Sequence, residues 1–431
     1  MYKLTLMQTS TVHAVISLPL HSRMAYDNNN TVSYMPPLTE ETTATSNPSS
    51  PLPFDLVVEI LCRLPVKSLL QLRCVCKSWN SLISDSKFAK KHLRCSPKDF
   101  TRHHIILDHT LNQKSLISHL KSLIFHLKFD ESVIMAYPLQ SVFNAAVAAT
   151  ITLLEYPLNT QNLVDFIVGS CNGCILCLDI DQSSPLLWNP STRRFKKLPS
   201  LENPLLEEED CHYYTTYGFG YDHSTDRYKV VAVFCYECDD DEEDDDFYYK
   251  TQVKVHTLGT DSWRSIQEFP SGVAVFDTGK FVSGTLNWLA DDSTNLNPVI
   301  VSFDLGKESY HEIFPPVTRE LVLGLGVLRD CLCIISDPPD RFADIWLMKE
   351  YGNKDSWTKL FSMKMMEEVE LLYPNLLHIS EDGEVLLVQL REKLVLYNSR
   401  DATFKTPPIQ DFDSFMDSAV YVESLISPCS L

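Results

Sequence analysis

Apolar positions follow two rhythms along this chain, and the rhythm changes near residue 96. Between residues 52 and 83, LPFDLVVEILCRLPVKSLLQLRCVCKSWNSLI, the residues Leu56, Val57, Ile60, Leu61 and Leu64 recur at helical spacing. Leu69, Leu72, Val75, Trp79 and Leu82 resume that period after a break. The spacing predicts two or three short amphipathic helices. Pro53 and Pro65 each precede an apolar run, where a missing N–H costs nothing in the first helical turn, and Asp55 adds negative charge near a helix N-terminus. A stretch of about 40 residues rarely buries enough apolar surface to fold alone. The leucines of this module are therefore expected to need another protein surface.

Beyond residue 96 the pattern is strand-like, and it repeats. The segments LLWNPSTRRFKKL, VKVHTLGTDSWRSI, IVSFDLGKESYHEI, IWLMKEYGNKDSWTKL and LVLYNSRDATFKTP share an apolar strand, a polar turn, an aromatic and an apolar residue three positions later. The last copy has Pro407 in the final slot. The aromatics Phe195, Trp263, Tyr310, Trp357 and Phe404 are 68, 47, 47 and 47 residues apart. The long interval holds an insertion of about 20 residues, as arrays carry insertions between strands. A period of 47 residues with several short strands predicts a β-propeller, because a four-stranded blade buries both faces only when its neighbours stack on it. Each repeat supplies the two outer strands of a blade, and inner strands are expected upstream at 173–178, 228–234, 284–289, 331–336 and 383–389. The aromatics are expected to pack between blades. Because an open terminal blade leaves unpaired backbone groups, residues 104–107 and 114–119 are expected to meet 418–425 in a composite blade. The fold class is thus mostly β: a small helical module at 51–95 after a disordered leader at 1–50, then a propeller of about six blades at 96–431.

Charge and chemistry narrow the function classes. Lys plus Arg number 37 against 57 Asp plus Glu, a net charge of −20, which argues against a nucleic-acid backbone as main partner because that interface needs a basic footprint. Eight of the acids form one run, 239–246, read as a solvated hairpin loop since like charges repel. No apolar stretch reaches the roughly 18 residues of a membrane span; the nearest, 142–154, is interrupted by Asn144, Thr150 and Thr152. Polar residues between Gln8 and His13 break any signal-peptide core, so neither membrane nor secretion is expected. Thirteen scattered cysteines fit thiols in a reducing compartment, cytoplasm or nucleus. Cys171, Cys174 and Cys177, with Cys235 and Cys238, have zinc-like spacings, but GCILCL reads as a buried strand that lacks a knuckle turn. No metal or cofactor is expected. The G-x-S-x-G, Walker and H-E-x-x-H patterns are missing, and Gly218-Phe219-Gly220 and Gly324-Leu325-Gly326 lack the third glycine of a dinucleotide loop and read as turns. The histidines, among them His103, His104, His119 and His126, are scattered.

Two resemblances sharpen this picture. Leu52-Pro53, Leu56, Glu59-Ile60-Leu61, Arg63-Leu64-Pro65-Val66-Lys67-Ser68-Leu69, Arg73-Cys74-Val75-Cys76-Lys77 and Trp79 fall at the signature positions of the F-box family, which the segment resembles from end to end. That resemblance implies docking onto a Skp-family adaptor and, through it, a cullin. Leu52, Pro53, Leu56, Ile60, Leu61, Leu64, Pro65, Leu69, Leu72, Val75 and Trp79 would then divide between adaptor contact and the module's own core. Leu187-Trp188-Asn189-Pro190-Ser191-Thr192-Arg193 with Leu198-Pro199, then Tyr217-Gly218-Phe219-Gly220-Tyr221-Asp222, Asp226 and Tyr228-Lys229-Val230-Val231, resemble the F-box-associated interaction domain of plant F-box proteins. The kelch signature is missing, since no Gly-Gly pair occurs. The resemblance implies a non-catalytic substrate receptor of a ubiquitin ligase, presenting an unknown target protein through blade-edge loops. The competing reading is a stand-alone propeller that binds a small molecule or glycan.

Overall fold

The computed structural model describes residues 53–95, 100–110, 132–144, 151–154, 167–178, 184–201, 211–238, 248–270, 277–291, 298–317, 321–337, 342–364, 374–391, 393–409 and 417–429. The chain divides into two compact units, 1–83 and 84–431. In the first, α1 (Phe54–Cys62) and α2 (Val66–Leu72) start directly after Pro53 and Pro65. The two prolines serve as N-caps with extended backbone, and their carbonyls accept the first helical N–H groups. The third helix, α3 (Lys77–Ser84), follows a non-helical break. The apolar period reads through this break in the sequence, but 73–76 leave the helix. Val57, Leu61, Cys62, Val66, Leu69, Leu72, Trp79 and Ile83 are buried.

The second unit opens with α4 (Ser86–Arg94), capped by Asp85, whose carboxylate accepts from the N–H groups of Lys87 and Phe88 at 2.6 and 3.2 Å. Lys91 and Arg94 in the last turn complement the helix dipole. Lys90 pairs with Asp226, which also accepts from the Tyr221 hydroxyl, and Arg102 donates to the His92 carbonyl at 3.3 Å. These bonds seat α4 on the sheet domain.

Among the described residues, twenty-four strands build six four-stranded antiparallel sheets. The chain lays down β1 (His103–Thr110), β2 (Ser132–Pro138), a short helix α5 (Leu139–Phe143) and β3 (Thr152–Leu154). Five meanders follow: β4 (Ile167–Cys171), β5 (Cys174–Cys177), β6 (Leu186–Asn189), β7 (Arg194–Lys197); β8 (Cys211–Asp222), β9 (Arg227–Cys238), β10 (Tyr248–Thr257), β11 (Arg264–Ile266); β12 (Lys280–Val282), β13 (Thr285–Asp291), β14 (Pro298–Asp304), β15 (Ser309–Ile313); β16 (Leu321–Leu328), β17 (Cys331–Asp337), β18 (Phe342–Met348), β19 (Trp357–Lys364); and β20 (Asn375–Ile379), β21 (Val385–Leu390), β22 (Lys393–Asn398), β23 (Thr403–Lys405). Finally β24 (Asp417–Val422) pairs with β1, from His103 with Val422 to Asp108 with Asp417, and gives the composite order β24-β1-β2-β3. The fold is a helical region followed by a six-bladed β-propeller. The closure expected from 104–107 and 418–425 is present, although the strand ends at Val422; 114–119 and the acidic run 239–246 lie outside the described residues.

Apolar clusters sit between consecutive blades. Val231, Val233 and Val255 of one blade meet Leu286, Trp288 and Phe303 of the next, and Ile106, Ala136 and Tyr421 of the composite blade meet Ile175 and Trp188 of its neighbour. Each sheet is apolar on both faces for this reason, which explains the strongly hydrophobic second strands. The inner strands expected upstream are present as β5, β9, β13, β17 and β21, which stand second from the axis. Inside them run β4, β8, β12, β16 and β20. Three of them, β4, β8 and β16, carry glycine within the strand. Gly218-Phe219-Gly220 and Gly324-Leu325-Gly326 therefore lie in β8 and β16, and the expectation that they are turns is corrected. A Cβ at Gly218 would stand 2.7 Å from Trp288, and one at Gly220 2.4 Å from Phe281, both on the adjacent blade. The crowding requires glycine.

Three of the five repeated aromatics tie neighbouring blades by hydrogen bonds. Trp263 Nε1 donates to Pro199 O at 2.9 Å, Tyr310 Oη to Gln267 O at 3.1 Å and Trp357 Nε1 to Phe314 O at 3.2 Å. Each acceptor is in the chain leaving the preceding blade. Phe404 packs on Tyr397 within its own blade. Phe195 stays 40% exposed on the rim, contrary to the expectation that it packs between blades, on an outermost strand whose four residues are all exposed or half-buried.

Candidate functional site

Two places on this scaffold offer chemistry to a partner. The first is the helical module. The expected contact residues separate by burial: Leu61, Leu69, Leu72 and Trp79 are in the core, Ile60 and Leu64 are half-buried, and Pro53, Leu56, Pro65 and Val75 are exposed. Leu52 lies outside the described residues. Phe54, which the helical period did not single out, is 55% exposed and Leu56 49%. Large apolar side chains left in water at the first turn of a helix carry a transfer cost of order 1 kcal/mol each that burial against a partner would recover. The period could not reveal Phe54 because it falls off the Leu56–Ile60 stripe; the signal available was an aromatic beside a helix-starting proline.

The second place is the propeller axis. A cavity of about 730 Å³ runs between the innermost strands, walled by Val168, Phe219, Leu325, Leu377 and Tyr421 among others. Its polar lining includes Lys280, held 3.0 Å from Asp277; Arg329, donating to Ser380 O and Glu381 O at 2.8 and 2.5 Å; Asp330, Asn375, Gln389, Arg391 and Ser418; and the histidines His103 and His378. Burial, with His103 and Arg329 nearby, lowers the His378 pKa to about 3, so this imidazole is neutral. No sequence signal marked His378.

Elsewhere the buried charges are structural. Lys229 bridges two blades, 3.0 Å from both Asp222 and Glu308 and donating to Leu305 O at 2.5 Å. Burial opposes the Asp222 charge, but hydrogen bonds from Ser224, Thr225 and Lys229 outweigh it and hold the carboxyl well below the usual range. The zinc-like cysteines Cys171, Cys174, Cys177 and Cys235 are buried in or at the ends of strands, and burial raises the Cys171 and Cys174 thiols. Among the described residues no three His, Cys, Asp or Glu side chains are grouped to hold a metal, and no helix is long and apolar enough to cross a membrane.

Residues 131–428 match the F-box associated beta propeller domain, and residues 50–91 match the F-box domain. The chain belongs to the F-box-associated propeller family. The F-box/kelch-repeat protein At3g23880 of Arabidopsis thaliana is 34% identical over 403 residues, which cover 91% of this chain and all of that one. The F-box protein CPR1 of the same plant is 28% identical over 398 residues, covering 88% and 89% respectively. An F-box followed by a propeller is the architecture of a non-catalytic adaptor protein and is consistent with a substrate receptor of a Skp–cullin–F-box ligase. An F-box implies interaction with Skp1-like adaptor and cullin machinery in general.

Proposed function

We propose that this F-box protein docks its adaptor through Leu52, Pro53, Phe54, Leu56, Pro65 and Val75, supported by Ile60 and Leu64, while Leu61, Leu69, Leu72 and Trp79 form the module's core. The propeller holds the target protein, and the complex works in the cytoplasm or nucleus without membrane or nucleic acid as partner. The observation that carries the reading is the exposure of Phe54 and Leu56 on a module whose other large side chains are mostly buried. Buried apolar anchors at an interface typically carry over ~2 kcal/mol each. Co-purification with a Skp-family adaptor is the test. Replacing Leu52 and Pro53 together by Ala, or Leu56 by Asp, is expected to lower adaptor capture at least about ten-fold with the melting temperature of the propeller unchanged. Undiminished capture by both variants would remove the assignment.

A further inference from the structure

Cysteines are scattered along this chain, but among the described residues the strand ladders set two pairs of them directly opposite one another. Cys171 stands opposite Cys174 across β4 and β5, and Cys211 stands opposite Cys238 across β8 and β9. The first pair flanks the tight turn at Asn172 and Gly173 and is buried. Burial raises both thiols, and a thiol kept protonated is a poor nucleophile. The second pair is placed differently. Cys211 is the first residue of β8 and Cys238 the last of β9, so the pair sits at the open end of a hairpin with twelve-residue strands, away from its turn at 223–226.

Opposite residues of an antiparallel ladder share one face of the sheet, with Cα atoms about 4.5 or 5.5 Å apart. Both spacings fall inside the roughly 4.4–6.8 Å that a disulfide bridges, so the register meets the distance requirement without moving the backbone. Cys238 is also opposite Tyr248 of β10, so a link from Cys211 would tie the innermost strand of the blade to a strand paired on both sides. The neighbouring sequence gives this position a purpose. The acidic residues 207–210 lead into Cys211, and the eight acids 239–246 follow directly on Cys238. Like charges delivered to one end of a ladder pull its strands apart, and strand ends open most readily. Asp210, Glu237 and Asp239, next to the two cysteines in sequence, also disfavour a thiolate, which slows oxidation and keeps the pair reduced at rest.

We propose that Cys211 and Cys238 are a reversible redox pair, whose cross-strand disulfide fastens β8 to β9 where the acidic segment 239–246 leaves the sheet, formed on exposure to a peroxide. One thiolate attacks an oxygen of hydrogen peroxide, giving a sulfenic acid and, with a proton, water. The other cysteine attacks that sulfur, the S–S bond forms, and hydroxide leaves as water with the second thiol's proton. Two thiols and one hydrogen peroxide thus give one disulfide and two waters, and a dithiol reductant reverses the link by exchange. Neither residue belongs to the helical module.

The full-length protein, reduced and then exposed to hydrogen peroxide, is blocked with N-ethylmaleimide under denaturing conditions and digested without reductant. A peptide linking Cys211 to Cys238 is expected from the monomer, released by dithiothreitol, while Cys171 and Cys174 are recovered as thiols. Hydrogen exchange at 212–214 and 236–238 should slow at least about five-fold on oxidation and recover with the reductant. In Cys238→Ser the link and the slowing should both vanish, with the melting temperature of the reduced protein unchanged, and Cys211→Ser should behave alike. Recovery of Cys211 and Cys238 as separate thiols or sulfinic acids after peroxide overturns the proposal. So does a link from either to another cysteine in preference, a link between chains, or exchange at 212–214 and 236–238 that is the same in the oxidised wild type and the oxidised Cys238→Ser.

Discussion

Asn189 is the residue on which ring closure can be tested most sharply. It ends β6, is fully buried, and uses both halves of its amide. Nδ2 donates to Ser424 O at 3.1 Å and Ile426 O at 2.6 Å, fastening the segment after β24 to the first meander, while Oδ1 accepts from the N–H groups of Ser191 and Thr192 at 2.9 and 3.2 Å. Ser424 and Ile426 are themselves buried, so their carbonyls find no solvent when the amide is removed. A buried polar group left unpaired costs about 1–3 kcal/mol. Two carbonyls therefore put Asn189→Ala at about 3 kcal/mol of destabilisation, with a smaller addition from the turn. Asn189→Asp separates the two functions, because a carboxylate still accepts from the turn N–H groups but faces the two carbonyls with oxygen. It should be at least as destabilising as Ala. Urea unfolding of the propeller, followed by tryptophan fluorescence, reads the loss as a lower midpoint at unchanged slope. A near-native midpoint for Asn189→Asp would refute the reasoning, since the turn alone would then account for the residue.

Three other outcomes check the same physics. Truncation after Asp417 removes all but the first residue of β24 and should unfold or aggregate the whole propeller, whereas deletion of 1–45 should leave the melting temperature in place; a monomeric truncation melting cooperatively at the full-length temperature would rule out terminal closure. Gly218→Ala sets a methyl 2.7 Å from Trp288 and should cost about 1–3 kcal/mol in denaturant midpoint, while Gly169→Ala, with open space around it, should cost under about 1 kcal/mol. Because the folded-state pKa of Asp222 is depressed, its stabilisation is present above the unfolded carboxyl value of about 4 and is lost as pH falls through the folded value; Asp222→Asn should be the less stable protein at pH 7, with the gap in midpoint narrowing as pH falls below about 4, and a gap independent of pH would contradict the assignment.

Much of the architecture was written in local patterns. The helix starts at Pro53 and Pro65, the five outer hairpins, and the pairing of distant strands for closure all follow from residue period and from the need to pair strand edges, which act within or between short segments. The innermost strands β8 and β16 were not legible, because close approach of neighbouring side chains there selects glycine, and a glycine in a list of residues reads as a turn. The exposure of Phe54 and Leu56 was likewise out of reach: a short amphipathic helix has an apolar stripe wider than the module can bury, and only packing settles which members remain in water. Asn189 looked like one more turn residue, yet its donors reach a tail more than 230 residues away. His378 carried no local signal at all. Its neutral, unpaired nitrogen beside Phe100 exists only because six blades meet around an axis, and the sequence encodes the blades but not what their meeting encloses.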